Sequence, residues 1–252
     1  MSISIIASLT TIPSRIDQLE PVIASIRNQS AIIKSIEINI PLHCKRLNQA
    51  YDIPAYLLED ELITIFRTYD YGPITKVLPT MMRYENDPDN YIWSVDDDVV
   101  LDKKTLATLT EIVDREKPRI FSGKGGVLNK NGRLDSGLDL EPWWGYGKIN
   151  WIEAYGSVLY PPGIYRNVKD TFLSLLESGD EDIIFSDDIL ISMVFNFAGV
   201  EIFLRNPEFP MEFTEAVKVD ALHDIQQYSR YNRAYDKIMA FYNVTRIPLK
   251  FN

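Results

Sequence analysis

Residues 91–101, YIWSVDDDVVL, set the tightest limit on what this chain can fold into. Tyr91, Ile92, Trp93 and Val95 have the aromatic and β-branched content of a buried strand, and they run straight into Asp96, Asp97 and Asp98. Such a strand carries its acids to the carboxyl end of a sheet, where open α/β folds bind ligands. In an extended chain Asp96 and Asp98 would share one side and Asp97 would face the other. Like charges crowded at a strand end repel, and an uncompensated buried carboxylate is costly. A divalent cation removes that cost, and magnesium or manganese favours such oxygen ligands. A plainer account makes the acids solvated turn residues, with Asp102 capping a helix over 103–115. It leaves three acids directly behind a buried strand unexplained.

The rest of the chain supplies matching units. Residues 3–9 (ISIIASL) suit a first, central strand, followed by the polar break Thr10-Thr11-Ile12-Pro13-Ser14-Arg15. Leu19, Val22, Ile23 and Ile26 recur at helical spacing over 17–29. Residues 35–40 and 62–68 read as second and third strands, with an irregular, Pro54-containing stretch at 41–61. The turn 70–76, marked by Gly72-Pro73, leads to a helix near 77–84 and on to the central strand. Further strands are expected at 119–122 and 152–160, glycine-rich hairpin or loop structure at 123–137, and helices near 168–177 and 187–197. Strands alternating with helices argue for a mostly parallel, doubly wound α/β sheet. Over 223–242, Ile225, Tyr228, Tyr231, Tyr235, Ile238, Met239 and Tyr242 fall on one helical face. Packing against the domain is its expected fate, and Arg230, Arg233 and Lys237 leave peripheral membrane contact or a dimer open.

With 252 residues and 46% hydrophobic content, the chain can bury one large core, so one domain is expected. Lys+Arg 26 against Asp+Glu 36 gives a net charge of −10, which argues against a nucleic-acid surface. A phosphorylated ligand would then have to be met by a metal or by a few well-placed cations. No apolar run reaches the roughly 18 residues of a membrane span, so neither a transmembrane segment nor a signal peptide is expected. The lone Cys44 excludes an internal disulfide and fits a reducing compartment.

The loop 10–15, the turn Asp70 to Lys76, the acids Asp96, Asp97 and Asp98, and Phe185-Ser186-Asp187-Asp188 together resemble the glycosyltransferases of the GT-A fold, in particular inverting enzymes related to the large family two. The combination is also similar to small virus- and bacterium-encoded sugar transferases that build surface glycans. The resemblance implies a single domain over 1–252: a nucleotide-sugar and metal half (1–122), a smaller acceptor and catalytic-base half (123–222) and a C-terminal helix (223–252). It implies a nucleoside-diphosphate sugar donor, uridine-based by expectation, a glycan acceptor, and manganese or magnesium held at the aspartate (DxD-type) motif. Asp98 is then the direct metal ligand, Asp96 a ribose or metal contact, and Asp97 takes either job. Thr10, Pro13 and Arg15 would line the nucleotide pocket, Asp70 would meet base or ribose, and Lys76 a phosphate. By spacing alone Lys76 is equally a solvated first-turn lysine.

The resemblance also implies a general base at the second acid of an acidic pair, which selects Asp188. Asp187 stands where the family has a glutamate, keeping the choice between the two open, and Asp187 can equally cap its helix. His223 would complete the metal shell in some enzymes of this fold, although a lone histidine is more often structural. Trp143 and Trp144 are candidates for an acceptor-side loop, with Tyr146 and Trp151 nearby as stacking or core residues. The implied location is the cytoplasm, the host's for a viral enzyme. Two other readings share some of these features: a nucleotidyltransferase on a related sheet, and a calcium-dependent glycan-binding module.

Overall fold

The computed structural model describes residues 3–128, 146–205, 211–222 and 227–245, and its architecture is α/β. The amino-terminal half alternates as the apolar periodicity predicts. β1 (Ser4–Leu9) leads to α1 (Glu20–Arg27), β2 (Ser35–Pro41), α2 (Ala55–Leu58), β3 (Ile63–Thr68), α3 (Leu78–Arg83) and β4 (Asn90–Ser94). The carboxy-terminal half is more broken. It runs through β5 (Val99–Val100), α4 (Thr105–Thr110), β6 (Ile120–Ser122), β7 (Gly125–Gly126), β8 (Tyr146–Ile149), β9 (Trp151–Ile152) and β10 (Val158–Tyr160), then α5 (Lys169–Glu177), α6 (Glu181–Ile184), α7 (Asp187–Phe197), β11 (Ile202–Arg205), β12 (Glu212–Phe213) and α8 (Gln227–Thr245).

Eight strands form one sheet in the order β3-β2-β1-β4-β10-β6-β11-β8. The first four are mutually parallel, as are β6 and β11, while β10 runs antiparallel between β4 and β6 and β8 closes the edge antiparallel to β11. This is a doubly wound, mostly parallel sheet of the expected class, consistent with a GT-A-like fold. Period-2 alternation divides its side chains between two cores. Ile5, Ala7, Leu9, Tyr91, Trp93, Phe121 and Leu159 face a layer built with α1 and α4. Ile92, Ile120, Val158 and Tyr160 face the layer of α3, α5, α7 and α8. Each fully buried aliphatic or aromatic side chain contributes about 1.5–3 kcal/mol. Leu19, Val22, Ile23 and Ile26, spaced for one helix face, are all buried. α7 is apolar nearly all round and accordingly sits inside the core.

Beneath β1 and β2 a buried polar chain replaces apolar packing. Glu37 is ion-paired with Arg83 and accepts from Tyr84 Oη at 2.7 Å. Arg83 also donates to Asn39 and Thr80, Asn39 donates to Ser8, and Ser8 donates to the Lys76 carbonyl at 2.5 Å. Every member is satisfied, which makes such a network rigid rather than costly. It fixes the backbone of Lys76 at the edge of the site.

Three local expectations are corrected. The helix expected over 103–115 is confined to Thr105–Thr110, because Asp114 takes the Glu116 N–H at 2.9 Å in a turn that competes with helix. The strand expected over 152–160 is split into β9 and β10 by a 3-10 turn, Ala154–Gly156, and by Ser157 at φ 72. The cause is close packing: a Cβ on Gly123 would lie 2.1 Å from the Gly156 carbonyl, so the chain must step aside there. Third, residues 97–98 form a turn, so the acids do not alternate as an extended chain would.

α8 packs against the domain, burying Tyr231, Ala234, Ile238 and Tyr242. Two of its cations are engaged with α6: Arg233 forks onto Asp182, and Lys237 reaches Asp180 and Asp182. Hydrogen bonds from Arg233, joined by Lys237, pull Asp182 down to about 2 from its ordinary 3.8. A depressed carboxylate stabilises the fold above its unfolded value and loses that contribution as pH falls through its folded value. Hydrogen-exchange protection of α8 relative to β1 is therefore expected to hold above about pH 4 and to fall as pH drops towards about 2, with Asp182→Asn weakening it already at neutral pH. Unchanged protection in that variant would show that apolar packing alone docks the helix. No described helix is long and apolar enough to cross a membrane.

Candidate active site

At the carboxyl ends of β1 to β4 opens a cleft of about 1480 Å³. Its floor is organised by two cations among five aspartates. Lys76 Nζ lies 2.7 Å from Asp96 Oδ1 and 2.9 Å from Asp187 Oδ2. Arg15 Nη1 lies 2.9 Å from Asp97 Oδ1 and 3.0 Å from Asp98 Oδ2, and Arg15 Nε donates to the Val219 carbonyl at 2.7 Å. Thr11 Oγ1 donates to Asp97 Oδ2 at 2.7 Å. The turn after Asp96 is what gathers Asp97 and Asp98 on Arg15 and leaves Asp96 to Lys76, in place of the expected pairing of Asp96 with Asp98 on one side.

Lys76 is a buried ammonium, 5% exposed, not a solvated first-turn lysine. Burial pulls its pKa down, but Asp187, Asp96 and Asp188 outweigh burial and hold it well above its ordinary value. Burial likewise raises Asp96, with Lys76 opposing. Asp98 is pushed up to about 6 by burial and by the charges of Asp96 and Asp97, against the pull of Arg15. The site thus holds more negative charge than its two cations balance. That surplus suits a hard divalent cation. Asp96 and Asp98 each spend one oxygen on a cationic side chain and keep a second oxygen as donor, and a bound ion would relieve the repulsion that raises Asp98. Among the described residues no three His, Cys, Asp or Glu side chains converge into a ready metal cage, and His223 lies outside those residues.

The acid pair opening α7 divides into two environments. Asp187 is buried against Lys76. Asp188 faces the cleft and is held by neutral donors: the Ala154 N–H at 2.9 Å on Oδ1 and Tyr231 Oη at 2.9 Å on Oδ2. Burial and the Asp187 charge push Asp188 up to about 8, Lys76 opposing. One acid is thus committed to a cation while its neighbour is poised to exchange a proton near neutrality.

Thr10, Arg15, Asp70, Lys76 and all five acids line one cleft. Thr10 Oγ1 donates to the Asn39 carbonyl at 2.6 Å, and Asp70 accepts from Lys45 N–H and Gly72 N–H, both at 2.8 Å, closing the two loops that border the cleft. Pro13, expected in the pocket, does not line it. Trp143 and Trp144 lie outside the described residues. The sequence reading missed Arg46, Tyr51 and Glu153, all in the lining, and the part taken by Tyr231. Arg46 and Tyr51 come from the irregular stretch 41–61, where no periodicity announces a role, and Tyr51 Oη donates to the Thr11 carbonyl at 3.0 Å. Tyr231 was legible only as one member of an apolar helix face.

A scan against protein-family models found no match to the chain, and a search of curated proteins found no significant match.

Proposed function

We propose that the chain is a metal-dependent glycosyltransferase that moves a sugar from a nucleoside-diphosphate donor, uridine-based by preference, to a hydroxyl of a glycan acceptor with inversion. The observation that carries this reading is the gathering, at the carboxyl end of a parallel sheet, of a buried lysine and arginine among five aspartates, four of them ion-paired and the fifth, Asp188, held by neutral donors. Asp98 and Asp96 would hold manganese or magnesium, which when bound offsets the charge that a leaving diphosphate gathers. Arg15 offers the planar fork and Lys76 the point charge that suit phosphate oxygens. Asp188 accepts the proton of the acceptor hydroxyl as that oxygen attacks the anomeric carbon. The bond to the diphosphate breaks on the opposite face, so the product carries the inverted configuration.

Calorimetric titration of UDP, GDP and dTDP, with manganese and again with chelator, tests the reading. One diphosphate is expected to bind in a manganese-dependent way, and Asp98→Ala to remove the metal-dependent part. Failure of every diphosphate to bind under both conditions would overturn it.

Tyr231 supports the base through its hydrogen bond to the charged carboxylate. Tyr231→Phe removes that donor, which raises the Asp188 pKa further and leaves less of the base ionised. The expected loss of transfer at pH 7 is on the order of tenfold. The midpoint of the pH–rate profile should move upward in the same variant; an unmoved midpoint would assign Tyr231 to packing alone.

A further inference from the structure

Past Asp188 the cleft continues along β9, and this wall carries polar atoms that no described contact uses. Trp151 is 2% exposed yet lines the cleft, and its indole Nε1 has no hydrogen-bond partner among the described residues. Glu153, two residues on, lines the same wall; its carboxylate takes a hydrogen bond from Tyr155, while its Oε2 is closed off from solvent and has no hydrogen-bond partner among the described residues. Buried polar groups in native proteins are almost always bonded, so an indole donor and a carboxylate acceptor left open side by side mark a place where a ligand completes the set.

The position of this pair relative to the base is fixed by the break between β9 and β10. The turn that starts at Ala154 points the Ala154 N–H at Asp188 Oδ1, so Glu153 immediately precedes the residue that anchors the base. The Glu153 charge is felt at Asp188. Tyr155 and Phe213 line the same cleft, their ring centroids 6.0 Å apart, with Phe213 54% exposed although it is aromatic. Aromatic faces beside one carboxylate and one N–H donor match a pyranose, which offers an apolar C–H face and a rim of hydroxyls.

We propose that Trp151, Glu153, Tyr155 and Phe213 form the acceptor subsite and that it takes a neutral sugar ring. Glu153 accepts a hydrogen bond from a hydroxyl neighbouring the one that reacts, and Trp151 Nε1 donates to a ring or hydroxyl oxygen. This rests on the transferase reading above. Neutrality follows from the form that carries out transfer: Asp188 must be ionised to act as base, and beside Glu153 an acidic sugar would then bring a third negative charge between them.

Saturation-transfer NMR on the full chain above about pH 8, where Asp188 is ionised, tests the subsite, using the methyl glycosides of glucose, galactose, mannose and xylose as neutral probes and methyl glucuronide as the acidic one. Neutral glycosides are expected to receive saturation and methyl glucuronide not to. Glu153→Ala should weaken the best neutral probe by roughly tenfold or more, and Trp151→Phe, which keeps a ring and loses the N–H, by several-fold. Should Glu153→Ala not fold, Glu153→Gln keeps the shape and an acceptor oxygen, and a several-fold loss is expected there. Binding in the glutamate variants as tight as in the native chain, a preference for methyl glucuronide, or no neutral glycoside bound by the native chain would each overturn the proposal. Manganese-dependent UDP binding, measured on the same samples, separates the two ideas. UDP binding without Glu153-dependent glycoside binding sinks the subsite alone, whereas Glu153-dependent glycoside binding without UDP sinks the transferase and leaves a sugar site.

Discussion

Asp188→Asn is expected to lower sugar transfer by about 10²–10⁴-fold, the usual weight of a positioned general base, while manganese-dependent nucleotide binding persists. The replacement is close to isosteric. Its Oδ1 can still accept from Ala154 N–H, and its Nδ2 can donate to Tyr231 Oη, so both native contacts survive with one reversed. What is lost is the capacity to take a proton. In the native chain transfer should rise with pH and level off above about 8, the value to which burial and Asp187 push this acid. The same shift has a stability consequence of opposite sense. Because the folded Asp188 holds its proton to higher pH than the unfolded residue, native stability should decline as pH rises from about 4 to about 8, and Asp188→Asn should abolish that part of the decline. Rate profiles and urea midpoints across this range check both. Native-like transfer in the variant would remove Asp188 from the chemistry.

Lys76→Met carries the largest expected cost to folding. It keeps the length of the side chain but strips the charge from between Asp96 and Asp187, leaving two carboxylates in a buried setting without their cation. Breaking a buried pair from one side costs about 3–5 kcal/mol, and here one lysine serves two acids. The loss should shrink on acidification, because protonated aspartates no longer need the cation. Chemical denaturation of the variant at neutral and at acidic pH reads this directly, and a neutral-pH midpoint equal to that of the native chain would show that solvent already compensates the pair. The lysine also joins the two halves of the site, touching an acid that follows β4 and an acid that opens α7. Loss of the cation is therefore expected to disturb nucleotide binding and Asp188 together.

Much of the scaffold was readable because its signals are local. Strand residues alternate and helix residues recur every three or four positions, so Trp93 in a sheet and Val22, Ile23 and Ile26 on a buried helix face announce themselves. The three acids behind Trp93 marked the working end of the sheet for the same reason, since no core tolerates them unpaired. Where packing overrode pattern, the reading slipped: the 152–160 strand was interrupted because Gly123 and Gly156 approach too closely for it to run straight. That interruption is also what points the Ala154 N–H at Asp188 and leaves Glu153 in the cleft wall.

The alternating α/β order, the acidic strand end and the buried face of the C-terminal helix follow from the residue pattern, as consequences of periodicity and of the cost of burying charge. Which charge meets which depends on contacts between distant parts of the chain. Arg15 bonds to Val219, 204 positions away, and Tyr231 reaches Asp188 across 43. Lys76 chooses Asp96 and Asp187 because the network through Ser8, Asn39 and Arg83 holds its backbone there. Spacing along a chain carries no record of such partners. They are set by how the layers pack, and the separate roles of two adjacent aspartates follow from that packing.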